Sequence, residues 1–159
     1  MPRPALRHQR IASNLCHVLT EHFKAHRLDL LAIFRIGLMV PGADLFRPFG
    51  DVVVADGSSG EMDTAFVDRF YLVAEVLSDG DLEKDIPAKC RHYACHPLNL
   101  YLLLIEQKQA RVEVGARAAG WEPVVLDRPG AVLELPEWGF QVPLATLYRG
   151  TSLDVSIQS

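Results

Sequence analysis

The chain is short of the features that mark several protein classes. Its three cysteines, Cys16, Cys90 and Cys95, form an odd set with no CxxC spacing, which argues against a disulfide scaffold and fits a reducing compartment. Long apolar runs are missing: the longest, such as Leu100 to Ile105, are strand-sized, whereas a membrane-spanning helix takes roughly 18 residues or more. The opening Met1-Pro2-Arg3-Pro4 carries no apolar signal core, so the expectation is a cytoplasmic protein without membrane contact. There is no internal repeat and no low-complexity tract. Positive charge is not in excess either. Lys and Arg number 16 against 20 Asp and Glu, a net charge of −4, so a surface that holds nucleic acid has to be local. Arg3, Arg7, Arg10, Arg35, Arg47, Lys84, Lys89 and Arg91 are the candidates for it, although charges of this kind are most often simply solvated.

What is present suits one domain with a single core. The 159 residues are 49% hydrophobic and 23% charged, which predicts one unit over 1–159 with its core in residues 5–148 and a frayed tail from Gly150. Ile11, Leu15, Val18, Leu19 and Phe23 recur at helical spacing and predict an amphipathic helix from Ala5 to His26. Leu30 to Val40 predicts a long strand or a bent pair, with Gly37 at a bulge or close approach. Beyond residue 98, the apolar stretches 99–105, 110–116, 121–126, 131–135 and 140–142 read as strands of an antiparallel extension that completes the sheet and covers an edge.

Chemistry concentrates between Asp51 and Lys89. Arg69 to Leu77 reads as a buried central strand, and Glu75 stands among its apolar residues. Alternation sets Phe70, Leu72, Ala74 and Val76 on one face and Tyr71, Val73, Glu75 and Leu77 on the other. A carboxylate in that setting needs a cation, a donor cluster or a proton to replace its lost hydration. Upstream, Arg47-Pro-Phe-Gly-Asp51 runs into Val52-Val-Val-Ala55, placing Asp51 at a strand start, where a polar group can reach a site. Downstream, Asp85 to His96 predicts a helix with Pro87 in its first turn. On it Asp85, Lys89, His92 or Tyr93, and His96 fall along one stripe. Two carboxylates can hold a hard divalent ion such as Mg²⁺ or Mn²⁺ that keeps other positions for water and phosphate oxygens. A lysine beside them can orient the attacking water and offset developing charge.

In this order and spacing Asp51, Glu75-Val76-Leu77-Ser78, Asp85, Lys89 and Tyr93 resemble the PD-(D/E)xK restriction-endonuclease-like superfamily, and within it the Uma-two-type branch, whose lysine has moved from the strand to the next helix. The resemblance runs over nearly the whole chain. It implies an α/β (α+β) fold with a restriction-endonuclease-like core, a mixed central sheet flanked by helices, and Mg²⁺- or Mn²⁺-dependent hydrolysis of nucleic acid, with DNA the expected substrate. It implies Asp51, Glu75 and the backbone carbonyl of Val76 as metal ligands and Lys89 as the catalytic amine, with Lys84 as fallback. Asn14, Ser78, Asp85 and Tyr93 become supporting residues, and a homodimer follows by analogy alone. Departures from the pattern are Leu77 where the parent motif has its lysine, the spread Pro48-Phe-Gly-Asp51, and the Ser78-Asp-Gly-Asp81 turn.

Other readings compete. Glu75 paired with Lys89 or Arg91 would also serve as a structural ion pair. Altered motif surroundings and acidic net charge suit a catalytically lapsed nuclease-fold module that binds nucleic acid or a protein partner. Cys90, His92, Cys95 and His96 offer zinc-ligating atoms, but not in the two-plus-two spacing of zinc knuckles, and His22 with His26 reads as a surface pair.

Overall fold

The computed structural model describes residues 5–40, 48–57, 65–78 and 85–154. The expectations placed on Arg3, Arg47, the turn after Ser78 and the fallback Lys84 therefore lie outside the described residues. The first helix, α1 (Leu6–Ala25), buries His8, Ile11, Ala12, Leu15, Cys16, Leu19 and Phe23, a stripe at helical period that packs it on the sheet. It ends in two bonds, Leu28 N–H to the Phe23 carbonyl and Arg27 N–H to the Lys24 carbonyl, with Arg27 at φ 54°. That is a Schellman stop with arginine where glycine is usual.

Seven strands follow: β1 (Leu30–Leu38), β2 (Phe49–Asp56), β3 (Phe66–Val67), β4 (Phe70–Val76), β5 (Tyr101–Ile105), β6 (Val112–Ala116) and β7 (Val124–Leu126). They form one sheet in the order β3-β1-β2-β4-β5-β6-β7. β4 and β5 pair in parallel, because α2 (Asp85–Cys95) carries the chain back between them. The β1–β2, β2–β4, β5–β6 and β6–β7 pairs are antiparallel. The fold is thus the mixed α+β arrangement expected, with β4 central. α1 covers one face over Val52, Val54, Leu72, Ala74, Val76, Leu103 and Ile105. The other face holds a smaller cluster of Leu38, Val40, Val53, Phe70, Val73 and, from α2, Tyr93.

Three expectations change. Phe70 belongs to the Tyr93 cluster rather than with Leu72, and Tyr71 packs toward the α1 side. The register slips between Val54 and Ala55, pairing Val54 with Leu72 and Ala55 with Phe70; this extra residue reverses the alternation before Leu72. The C-terminal strands do not all extend the sheet: β6 and β7 do, while β8 (Val132–Leu135) and β9 (Phe140–Pro143) pair only with each other. Leu133, Leu135, Phe140 and Val142 bring this hairpin into the core shared with α1. Fraying does not begin at Gly150, since the Gly150 N–H donates to Asp154 Oδ2 at 2.7 Å and the Thr151 hydroxyl donates to the Tyr148 carbonyl at 2.6 Å.

Asn14 is the hinge pin of that end. Its amide donates to the Leu147 and Arg149 carbonyls, each at 2.9 Å, fastening the short helix α3 (Leu144–Leu147) and the residues after it to α1. The hydrogen bonds of Asn14 run to this end of the chain, whereas the expectation set it as a supporting residue of the acidic pair. Asn14→Ala should lower unfolding free energy by about 1–2 kcal/mol, measured by urea denaturation, through loss of two hydrogen bonds. Divalent-ion affinity should stay unchanged; a fall in that affinity at full stability would return Asn14 to the acidic pair.

Candidate active site

Asp51 and Glu75 meet at the end of the β2–β4 ladder. Paired residues run from Ala55↔Phe70 to Val52↔Ala74, and past that point the Val76 amide donates to Asp51 Oδ2 at 2.8 Å. A side chain thus replaces the backbone acceptor that a continuing ladder would offer. Because N–H and C=O of one strand residue lie on the same edge, the Val76 carbonyl faces the Asp51 side too. On the other flank of β2, pairing with β1 passes from Phe34↔Val52 to Ile36↔Gly50 and skips Arg35 opposite Asp51. Arg35 has φ 42°, a left-handed conformation costly for a residue with a Cβ. The local break in the strand pair therefore coincides with the acidic residue.

Glu75 is 5% exposed, and three groups reach it. Its carboxyl hydrogen-bonds the Asp51 carboxylate. The Tyr93 hydroxyl donates to Oε1 at 2.8 Å, and Lys89 Nζ stands 3.7 Å from the same oxygen. Lys89 and Tyr93 are one helical turn apart on α2, so one helix face delivers both. Farther along that face, His96 Nε2 lies 2.7 Å from the Asp68 carbonyl and the ring stacks on Phe70 at 4.0 Å, seating α2 on the sheet.

The electrostatics separate the two acids. Burial, then the Asp51 charge, push the Glu75 carboxyl up to about 8, against the opposing pull of Lys89 and Tyr93. Burial also acts to raise Asp51, yet hydrogen bonds from His8 and the Val76 amide, with a smaller one from Glu75, hold it below the ordinary carboxylate range. In the absence of a cation the pair therefore keeps one proton, on Glu75, at neutral pH. The same burial and carboxylates push the Tyr93 phenol up, and Cys90 is pushed up to about 11, chiefly by burial.

His8 was not among the residues singled out from the sequence. Its Nε2 is 3.3 Å from Asp51 Oδ2, and it is 7% exposed. A readable signal existed: His8 continues the apolar stripe of Ile11, Ala12 and Leu15 back by one turn, and a polar residue in a buried stripe needs a partner. Among the remaining expected residues, Ser78 is exposed just beyond β4 and Asp85 opens α2; the side-chain surroundings of Asp85 are outside the described residues. Cys90, His92, Cys95 and His96 do not converge, and no group of three or more His, Cys, Asp or Glu suited to a metal occurs among the described residues. His22 Nε2 lies 2.6 Å from the Trp138 carbonyl, so it binds the β8–β9 connection.

The donor set fits a hard cation that asks little of the protein. Two adjoining carboxyl groups, one pushed up to about 8 chiefly by burial, and a carbonyl on the same edge offer oxygen atoms alone, the ligand type that Mg²⁺ or Mn²⁺ takes more readily than Zn²⁺.

Among solved structures, the chain resembles a protein from Anabaena variabilis described as a putative nuclease belonging to DUF820, with a TM-score of 0.74 and 19% identity over 92% of this chain and 83% of that one. At that identity the likeness speaks for the fold. No curated protein matches the chain. No helix among the described residues is long and apolar enough to cross a membrane. The family model named Uma2 and described as "Putative restriction endonuclease" matches residues 1–145, and a match over that much of the sequence means that the chain belongs to the Uma2 family.

Proposed function

We propose that the protein is a metal-dependent endonuclease that hydrolyses phosphodiester bonds in nucleic acid, with DNA as substrate and Mg²⁺ or Mn²⁺ as cofactor. The observation that carries this reading is the pairing of Asp51 with the buried Glu75, with the Lys89 amine 3.7 Å from Glu75. Family membership supports the nuclease class. Asp51, Glu75 and the Val76 carbonyl would hold the cation, which when bound supplies Lewis-acid polarisation of phosphoryl oxygens. Lys89 would orient the attacking water with its amine and offset charge on the phosphoryl oxygens as the bond to the leaving oxygen breaks. Tyr93 fixes Glu75 in one rotamer, and His8 does the same for Asp51. Lys89 takes the place that the parent motif gives to its strand lysine. Leu77, at that strand position, ties its amide to the Ile105 carbonyl at 2.8 Å.

A second reading, a lapsed nuclease fold retained for binding, draws on Leu77 and on the net charge of −4. Cleavage assays over single-stranded, duplex and branched DNA and RNA, with and without Mg²⁺ or Mn²⁺, separate the two. Asp51→Ala and Glu75→Ala should abolish cleavage, and Lys89→Ala should lower kcat by about 10²–10³-fold, the scale for loss of one preorganised charge-stabilising group. Activity that survives Lys89→Ala and is lost in Lys84→Ala would move the amine's role to Lys84. Wild-type protein inert on every substrate with both metals would leave the binding module.

The proton on Glu75 sets a second prediction. Metal binding must displace it, so calorimetry at pH 7 in buffers of different ionisation enthalpy should show release of about one proton per ion. Affinity should climb with pH and level off above about 8; Glu75→Gln should remove both effects. The folded-state pKa is raised from 4.5 to about 8, so the folded metal-free protein keeps a proton that the unfolded chain releases. Its contribution to stability is whole below 4.5 and is lost as pH rises to about 8. Relative to Glu75→Gln, wild type should therefore lose stability over that window, and a flat difference in Tm against pH would contradict the protonated pair.

A further inference from the structure

An open cleft of about 300 Å³ lies between the first turns of α1 and the Gly150–Ser152 bend, lined by Leu6, Arg7, Arg10, Gly150, Thr151 and Ser152. Its chemistry is not used by the acidic pair. Arg7 Nε is shut away from solvent and has no hydrogen-bond partner among the described residues, an arrangement that leaves a donor in want of an acceptor. Arg10 lies across the backbone of Gly150, where an added Cβ would stand 3.5 Å from its Cδ and Nε. Gly150 has φ 77°, which favours glycine at this wall.

The wall itself is held firmly. Asn14 binds the Leu147 and Arg149 carbonyls, and the Asp154 carboxylate on the same segment accepts from the Gly150 amide. Two guanidiniums gathered in one cleft of a chain with net charge −4 make a local positive spot, and their forked donors match phosphate oxygens. Arg7 directly precedes His8, whose imidazole is 3.3 Å from Asp51. Arg10 follows about one turn along the helix, at about 1.5 Å of rise per residue.

We propose that this cleft binds a backbone phosphate of a nucleic-acid strand, neighbouring the linkage presented to the acidic pair, with Arg7 and Arg10 as the donors. The placement relative to a scissile linkage rests on the nuclease reading; the phosphate chemistry rests on the cleft. As the two arginines contact a phosphate that does not react, they contribute binding held equally in ground and transition states.

The test is fluorescence anisotropy of labelled single-stranded and duplex oligonucleotides over a KCl series, in EDTA and in Ca²⁺. It compares wild type, the double variant Arg7→Ala with Arg10→Ala, and the double variant Arg7→Lys with Arg10→Lys, each checked by its Tm. The alanine pair should weaken binding about tenfold and lower the slope of log affinity against log salt by about one. The lysine pair should keep the slope while losing part of the affinity, because charge remains and the fork does not; it also keeps the test readable if the alanine pair fails to fold. In the cleavage assay KM should rise with kcat unchanged. Unchanged affinity and slope in a folded alanine variant, or full affinity in the lysine variant, would overturn the proposal. So would a site that takes inorganic phosphate, seen as a rise in wild-type Tm, while oligonucleotide binding ignores the substitutions. Wild type that binds with the expected slope but never cleaves removes the nuclease reading and leaves the cleft; cleavage with substitution-blind binding does the reverse.

Discussion

A buried carboxyl group set against a second, half-buried one resists carrying a charge of its own, and the centre of this protein is built around that constraint. Glu75 lies within the central strand at 5% exposure, against Asp51. The cost of that placement is met from three directions, by a phenol from α2, an amine from α2, and a backbone amide and an imidazole on the Asp51 side. With those partners Asp51 is held below the ordinary carboxylate range while Glu75 is pushed up to about 8, so the two groups do not both carry an uncompensated charge. The Lys89 amine stands within ion-pair distance of Glu75 Oε1, at 3.7 Å, while burial and then the Asp51 charge push the Glu75 carboxyl up to about 8.

The sheet explains how the groups converge. β2 and β4 stop pairing at Val52↔Ala74, which opens a gap at the strand ends where side chains, not carbonyls, meet the remaining amides. The two helices lie on opposite faces and each sends residues into this gap: His8 from the first turns of α1, Lys89 and Tyr93 from α2. Such an arrangement concentrates polar groups at a sheet margin while Val53, Val73, Leu72 and Ala74 immediately behind are sealed. The apolar backing lowers the local dielectric and strengthens whatever charge interaction occurs in front. The first turns of α1 supply His8 to Asp51 and, from neighbouring positions, Arg7 and Arg10 to the cleft against Gly150.

Much of this was open to reading along the chain because its causes are local. The period of Ile11, Leu15, Leu19 and Phe23 requires an amphipathic helix, the apolar run around Glu75 requires a buried strand, and Lys89 and Tyr93 share a helix face by spacing alone. The carboxylate in a strand already demanded compensation before any partner was known. What lay beyond reach depended on contacts between distant residues. Asn14 meets carbonyls more than 130 positions away, and nothing near it in sequence announces them. The slip opposite Val54 and Ala55 that turns Phe70 and Tyr71 over arises from two strands pairing, not from either strand's pattern. The strands β8 and β9 have the same alternation as sheet members, and only packing against α1 decides that they stand apart.

The sequence by itself determined the long helices and the longer strands, that one acid must sit in a buried strand, and, through its motif order, the family that the chain resembles. Tertiary structure alone decided that Asp51 and Glu75 stand together with their carboxyl groups shifted in opposite directions, that His8 completes the Asp51 surroundings, and that Arg7 and Arg10 line a common cleft. The division follows from range. Propensity and periodicity act over a few residues, whereas the charge state of a buried carboxyl is set by every group within a few ångströms, whatever its position along the chain.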